Sequence, residues 1–260
     1  MISTAQIKLI RSLRQKKYRD LSRLYSIEGE KMVEELLTEG DATRHRPVRI
    51  FATQEYLDRH TDLLQGKNLE IIEASTKELE RVSNLVTPQP VVALVSKPDP
   101  ISLEEIPPGE PVLAFDSIRD PGNLGTIMRT ADWFGIPHLV CSPDSADLYN
   151  PKVVQSTMGA LFRVEVIYAN LLEWISRMGK GQRQILGTTL QGENIYGIPL
   201  EKNPVILFGN ESRGLSNHFD PHLTQRISIP SFHRNGKGSE SLNVASSVAV
   251  ICSELRRKTG

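Results

Sequence analysis

Residues 112–135 read VLAFDSIRDPGNLGTIMRTADWFG. The unbroken apolar run at its start is followed by the turn formers Asp120, Pro121, Gly122 and Asn123, and Gly125 then opens a segment whose apolar residues recur at helical spacing. The order is strand, turn, helix. A strand that is apolar throughout, rather than at alternate positions, belongs in a parallel sheet covered by helices on both faces. The same punctuation continues downstream. IPHLVC (136–141) predicts a strand, PKVVQSTMGAL (151–161) a helix, FRVEVIY (162–168) a strand and NLLEWISRM (170–178) a helix. QILGTTL (184–190), PVILFGN (204–210) and RISIP (226–230) predict strands, with a short helical turn near GLSNHF (214–219) and a last helix from about Ser241 to Arg257. The expected fold class is α/β, with a mostly parallel sheet at the C-terminal end.

Upstream, Ile7, Ile10, Leu13, Leu21 and Leu24 alternate with basic residues and predict one or two short helices, and SIEGEKMVEELLTEG (26–40) predicts an amphipathic helix closed by Gly40. Strands are expected at VRIFAT, LEIIEA and VVALVS, with helices over 54–64 and 75–85 between them. This gives a small α/β domain over 1–96, a proline- and acid-rich linker over 97–111, and a second domain over 112–260.

The 260 residues are 39% hydrophobic and 24% charged, ordinary for a globular protein, and no run of eighteen apolar residues occurs. The first residues lack the apolar stretch of a secretory signal, so a cytoplasmic, non-membrane protein is expected. Cys141 and Cys252 show no zinc-ligand spacing and are expected to be buried, reduced thiols. His218 and His222 are separated by Pro221, which interrupts the helix that would align them, so no metal is expected. The formal net charge is zero, yet Lys8, Arg11, Arg14, Lys16, Lys17, Arg19 and Arg23 are opposed only by Asp20, and Arg256, Arg257 and Lys258 close the chain. Local fields of this kind gather a polyanion, although a solvated helix face has the same composition.

Three segments place polar residues where an apolar strand ends, which is where open α/β sheets bind ligands. They are the opening segment with Asn123 and Arg129, VILFGNESRGLS with Glu211 and Arg213, and ISIPSFHRNGKGSESLNV with Ser241 and Asn243. Singly each has a bland reading: turn glycines, solvated charges, or Ser239 or Ser241 as a helix cap. Together they argue for one site.

The order N-x-G-x-x-x-R (Asn123, Gly125, Arg129), F-G-N-E-x-x-G (Phe208 to Gly214) and I-P followed by S-L-N-V (Ile229, Pro230, Ser241 to Val244) resembles the three motifs of the SpoU, or TrmH, family of RNA 2′-O-methyltransferases in the SPOUT superfamily. The N-terminal part resembles the ribosomal-protein-like substrate-binding domain of the ribosomal-RNA members. The resemblance implies a deep trefoil knot, a homodimer whose site draws on both subunits, and S-adenosylmethionine (AdoMet) held without a metal around Thr188 to Leu190, Gly209, Ile229 and Leu242. It further implies that Arg129 activates the ribose hydroxyl and grips a phosphate, with Asn123, Glu211, Ser241 and Asn243 as the other catalytic or supporting residues. The loop SFHRNGKGSE is longer than in the simplest members and offers RNA contacts through Arg234 and Lys237, beside Arg11, Arg14, Lys16 and Lys17 of the first domain. The extra domain favours rRNA, the large subunit's above all, over tRNA.

A guanidinium normally holds its proton, so Arg129 either sits among cations that loosen that proton or stays charged and stabilises the developing alkoxide; the second role is favoured. Three rival readings stand beside this one: a non-catalytic RNA-binding or assembly protein of the same fold, a dinucleotide-dependent oxidoreductase, and a hydrolase using Ser241. The second lacks G-x-G-x-x-G after the first strand and the third lacks a G-x-S-x-G elbow. The first differs from the enzyme by having no affinity for AdoMet.

Overall fold

A computed structural model of the chain describes residues 1–178, 183–233 and 238–260. Two compact units emerge: Met1–Asp99 with Asp147–Arg163, and Pro100–Ala146 with Val164–Gly260. Domain limits drawn along the sequence at 1–96 and 112–260 follow the chain, whereas the contacts group 147–163 with the first unit. Among the described residues no helix is long and apolar enough to cross a membrane.

The first unit begins with helices α1 (Thr4–Ser12) and α2 (Lys16–Ser22) and continues through β1 (Leu24–Glu28), α3 (Glu30–Glu39) and β2 (Arg46–Ala52). After the short helices α4 (Gln54–Arg59) and α5 (Thr61–Leu64) come β3 (Glu70–Glu73), α6 (Thr76–Val82) and β4 (Val91–Ser96). The sheet order is β1-β4-β2-β3; β4 runs antiparallel to both neighbours, and β2 and β3 are parallel. Ile7, Ile10 and Leu13 pack with Phe51, Leu79 and Val92 in its core.

Residues 24–28 correct the sequence reading, which ran a helix from Ser26. They form a strand that pairs with β4 from Leu24↔Ser96 to Glu28↔Val92, and Gly29 at φ 107° breaks the chain before α3 starts. The polar residue that suggests a helix, Glu28, is buried, and its carboxylate accepts from Ser83 Oγ (2.6 Å), Asn84 N (2.8 Å) and Asn84 Nδ2 (2.6 Å). Arg19 is likewise buried: Nη1 donates to the Leu13 and Arg14 carbonyls at 2.7 and 2.9 Å, ending α1, and Nη2 pairs with Asp147. It is a structural cation, not part of a basic surface.

The second unit carries β5 (Val112–Phe115), α7 (Pro121–Trp133), β6 (His138–Cys141), β7 (Glu165–Tyr168), α9 (Leu171–Arg177), β8 (Ile185–Asn194), β9 (Val205–Phe208), β10 (Gln225–Ser228) and α10 (Val244–Thr259); α8 (Pro151–Thr157) lies in the first. Its six strands are all parallel, in the order β10-β8-β9-β5-β6-β7. Val112, Ala114, Val205 and Leu207 join Leu171 and Ile175 of α9 in one core. The alternate residues Leu113, Phe115, Ile206 and Phe208 are buried too, so both faces of the sheet are covered, as its continuous apolar runs require. The Phe115 and Phe208 rings stack at 5.2 Å. Each such buried side chain contributes about 1.5–3 kcal/mol.

Both cysteines are buried and unpaired, and burial pushes their thiols up to about 12. The C-terminal cations are engaged within the chain: Arg256 donates to the Phe134 and Gly135 carbonyls at 2.6 Å, and Arg257 and Lys258 pair with Glu254.

Candidate active site

The first motif is a helix start built in layers. Asp120 is the N-cap of α7, accepting from Asn123 N at 2.8 Å, and Pro121 takes the first helical position, where no N–H is needed. This sets Asn123 at the helix mouth, its side chain free to reach outward. The second motif closes a tight turn after β9. Asn210 and Gly214 exchange backbone hydrogen bonds (3.1 and 2.8 Å), Asn210 Oδ1 accepts from Ser212 N at 2.9 Å, and Gly214 adopts φ 70°. A Cβ on Gly209 would collide with the backbone of Gly214 and Leu215, so only glycine closes this turn. In the third motif Asn243, not Ser239 or Ser241, is the N-cap of the last helix. Its Oδ1 accepts from Ala245 N at 2.9 Å, and the helix starts at Val244 rather than near Ser241.

The three motifs meet through their amides. Asn243 Nδ2 donates to Asn123 Oδ1 at 3.0 Å, and Asn123 Nδ2 donates to Glu211 Oε1 at 3.0 Å. Each amide thereby has an assigned orientation, and the Glu211 carboxylate is fixed at the end of the relay.

A cleft of about 720 Å³ opens beside this relay, within the range of small-molecule sites. Thr188, Leu190, Gly209, Ile229 and Leu242 all line it, as do Glu211 and Ser241. The wall at Thr188 has a backbone cause. β10 pairs Arg226 with Gly187 and the next residue, Ile227, with Glu193, so residues 188–192 of β8 are skipped by the ladder and bulge at the cleft. Gly192 permits this, since a Cβ there would meet the Ile227 backbone. Thr189 also lines this wall, and its Oγ1 is buried without a hydrogen-bond partner among the described residues. An orphaned hydroxyl on a residue that lines a cleft of this size calls for a partner that a ligand polar atom can supply.

A smaller polar pocket adjoins, lined by Arg119, Asp120, Asn123, Asn210, Glu211 and Arg213 among others. Beneath it, the hydroxyls of Ser117 and Ser142 bind Asp144 and hold its carboxyl well below the usual carboxylate range. Burial, and then the charge of Asp144, moves Asp116 the other way.

Arg129 is exposed on α7, lines neither recess, and makes no hydrogen bond or ion pair among the described residues. Arg11, Arg14, Lys16 and Lys17 are exposed in the first unit. Arg11 donates to the Arg81 carbonyl (2.6 Å), Arg14 to Asn84 and Ser83 (2.7 Å each), and Lys16 pairs with Asp20 at 2.9 Å. Arg234 and Lys237 lie outside the described residues. Ser117 and Asp144 escaped the sequence reading and carry no local pattern, whereas Thr189 falls within the expected stretch Thr188 to Leu190 and Asn210 within the second motif, neither with a role of its own.

Residues 110–253 match the SpoU rRNA Methylase family, and residues 4–93 match the MRM3-like substrate binding domain. A Porphyromonas gingivalis protein assigned to the TrmH family of RNA methyltransferases superposes with a TM-score of 0.85 at 36% identity, with 99% of each chain covered. An AdoMet-bound rRNA methyltransferase from Sinorhizobium meliloti superposes with a TM-score of 0.83 at 29% identity, over 99% of this chain and 97% of that one. In sequence, the 23S rRNA (guanosine(2553)-2′-O)-methyltransferase RlmP of Bacillus subtilis is 29% identical over 96% of this chain and 96% of its own. With its three motif segments joined at one cleft and the match covering more than half its length, the chain belongs to the SpoU rRNA methylase family.

Proposed function

We propose that this protein is an AdoMet-dependent RNA 2′-O-ribose methyltransferase acting on rRNA, the large-subunit rRNA in particular. The observation that carries the reading is the Asn243–Asn123–Glu211 relay at the rim of the cleft, because it joins three distant motifs into one polar edge. The full-length similarity to rRNA 2′-O-methyltransferases supports the substrate.

The cleft fits AdoMet. Phe208, Leu215, Ile229 and Leu242 supply apolar walls suited to an adenine, Gly209 lets backbone approach closely, and Thr189 Oγ1 supplies an unmet polar partner. AdoMet supplies an electrophilic methyl group when bound, with its own positive charge and without a metal. The chain's residues have the remaining tasks. The bulge at 188–192 and the turn at 209–214 enclose the donor and exclude water; the relay presents Glu211 in one orientation to the acceptor. Alignment of this kind can lower a displacement barrier by roughly 7–11 kcal/mol. Arg129 stabilises the negative charge that develops at the ribose oxygen as the hydroxyl proton passes to solvent and the methyl–sulfur bond gives way to the methyl–oxygen bond, acting as a charged guanidinium rather than as a base.

Arg129 and the exposed Trp133 lie one turn apart on α7, and their exposure supports a homodimer in which Arg129 serves the partner's site. The knotted path of the chain and a cytoplasmic location belong to the same reading. Arg11, Arg14, Lys16 and Lys17, with Arg234 and Lys237, are assigned to RNA phosphates. Calorimetry with AdoMet, followed by incubation with labelled AdoMet and rRNA, tests the proposal. Saturable binding and label in RNA are expected; no binding favours a non-catalytic assembly protein, and binding without transfer to RNA removes the methyltransferase reading.

A further inference from the structure

The polar pocket holds two guanidinium groups to which the reading above gives no task, Arg119 and Arg213. Arg119 is held from behind: its Nη2 donates to Asp144 Oδ2 at 3.0 Å. Asp144 is fixed in turn, because Ser142 Oγ donates to its Oδ1 at 2.7 Å and Ser117 Oγ donates to Oδ2. Ser117 N donates to Ser142 Oγ at 2.7 Å, and the Ser117 carbonyl accepts from Asn210 Nδ2 at 2.9 Å. Asp144 thus ties the residues that follow β5 to those that follow β6, and Ser117 ties them to the second-motif turn.

Ser117 sits at φ 68°, a left-handed conformation that a serine rarely takes. Such residues persist where their surroundings over-determine them, and they cluster at ligand clamps. Here the surroundings are the contacts to Ser142, Asp144 and Asn210. The device fits the group it presents. A guanidinium has five N–H donors in a rigid plane, so an arginine anchored to a carboxylate by one nitrogen still offers a fork to a second anion, with its orientation already set.

Arg213 adds a second cation to the pocket. Its backbone N is held by Asn210 Oδ1 at 3.3 Å, while its side chain makes no hydrogen bond or ion pair among the described residues. The carboxylate between the two arginines' loops, Glu211, is already engaged by Asn123 at 3.0 Å.

We infer that Arg119, oriented by Asp144, acts with Arg213 as a clamp for a phosphodiester of the acceptor RNA, beside the ribose to be methylated, and that Asp144 is the positioning residue of this clamp. The inference rests on the methyltransferase reading, to which it adds a phosphate contact separate from that of Arg129. Neither Arg119 nor Asp144 lines the larger cleft, so acceptor and donor binding respond separately to their substitution.

The test uses the full-length protein, AdoMet affinity by calorimetry, affinity for unmodified large-subunit rRNA transcribed in vitro and measured without AdoMet, and steady-state kinetics at several salt concentrations. For Arg119→Ala, the AdoMet Kd should stay within about twofold, while the KM for RNA rises about tenfold and the slope of log affinity against log salt becomes shallower by about one unit. Asp144→Asn should raise KM by about fivefold with the wild-type salt slope, since the cation remains but loses its orientation. Ser117→Gly accepts φ 68° without strain yet lacks the hydroxyl; it should follow Asp144→Asn at an unchanged melting temperature. Wild-type RNA affinity and KM in Arg119→Ala overturn the clamp, as does an equal loss of AdoMet and RNA affinity, which marks a structural role. A wild-type protein that binds no AdoMet overturns the methyltransferase reading and the clamp's role in it, whereas a functioning wild type with indifferent variants overturns the clamp alone.

Discussion

Asn243 Nδ2 and Asn123 Oδ1 lie 3.0 Å apart although 120 positions separate them in the chain. Asn243 uses both ends of its amide: the oxygen caps α10 and the nitrogen holds Asn123, which then holds Glu211. A residue that looks like an ordinary helix cap is therefore also the anchor of the relay that joins the three motifs.

That double use is separable. Asn243→Asp keeps an acceptor for the cap but loses the donor to Asn123; methyl transfer should fall about tenfold or more while thermal stability changes by less than about 0.5 kcal/mol. Asn243→Ala loses both functions and should cost about 1 kcal/mol of stability in addition. Calorimetric melting with a labelled-methyl assay reads both, and a fully active Asn243→Asp would contradict the relay.

Thr189 offers the opposite signature. Its buried Oγ1 has no partner among the described residues, so Thr189→Val should leave the ligand-free protein equally stable or slightly more so, while weakening AdoMet by about five- to tenfold through loss of one hydrogen bond. Calorimetric titration of the variant checks this; unchanged AdoMet affinity would mean that the hydroxyl does not face the donor.

Arg129→Lys preserves charge but not the planar fork. If Arg129 recognises the acceptor bidentately while stabilising the alkoxide, kcat should drop about tenfold or more in a pH–rate comparison with wild type. Near-full activity of the lysine variant would contradict a requirement for the guanidinium.

Acid should weaken the first unit through His45. Its Nδ1 and the Tyr25 hydroxyl share a hydrogen bond of 2.8 Å, and burial, with Arg44 and Arg46 nearby, pushes the imidazole down to about 4. A histidine lowered on folding binds fewer protons in the native state than in the unfolded one. Its contribution is complete above about pH 6.5 and is lost as pH falls toward 4, on the order of 3 kcal/mol. Urea unfolding across that window should show the slope, flattened in His45→Gln; identical slopes would contradict it.

The strands of the second unit were legible because a parallel sheet buried on both faces writes itself as unbroken apolar runs, as at Val112–Phe115 and Val205–Phe208. β1 was not, because Ser26 and Glu28 are buried polar residues, Glu28 is satisfied by distant partners, and no local pattern announces Ser83 and Asn84. Arg19 misled for the same reason: its charge is matched by Asp147, 128 positions away. Within the site, the motif residues could be read from their order along the chain, whereas the bulge opposite Arg226 and Ile227 depends on pairing that sequence does not display. Asp144 is a lone acid after a strand until three donors converge on it.

The most direct test of the central claim is nucleotide-resolution mapping of 2′-O-methylation in unmodified rRNA after incubation with the purified protein and AdoMet, with Asn123→Ala as control. The expected result is a discrete methylated ribose in the large-subunit rRNA with wild type, strongly reduced with the variant. Protein that binds AdoMet and rRNA yet leaves every ribose unmethylated would contradict it.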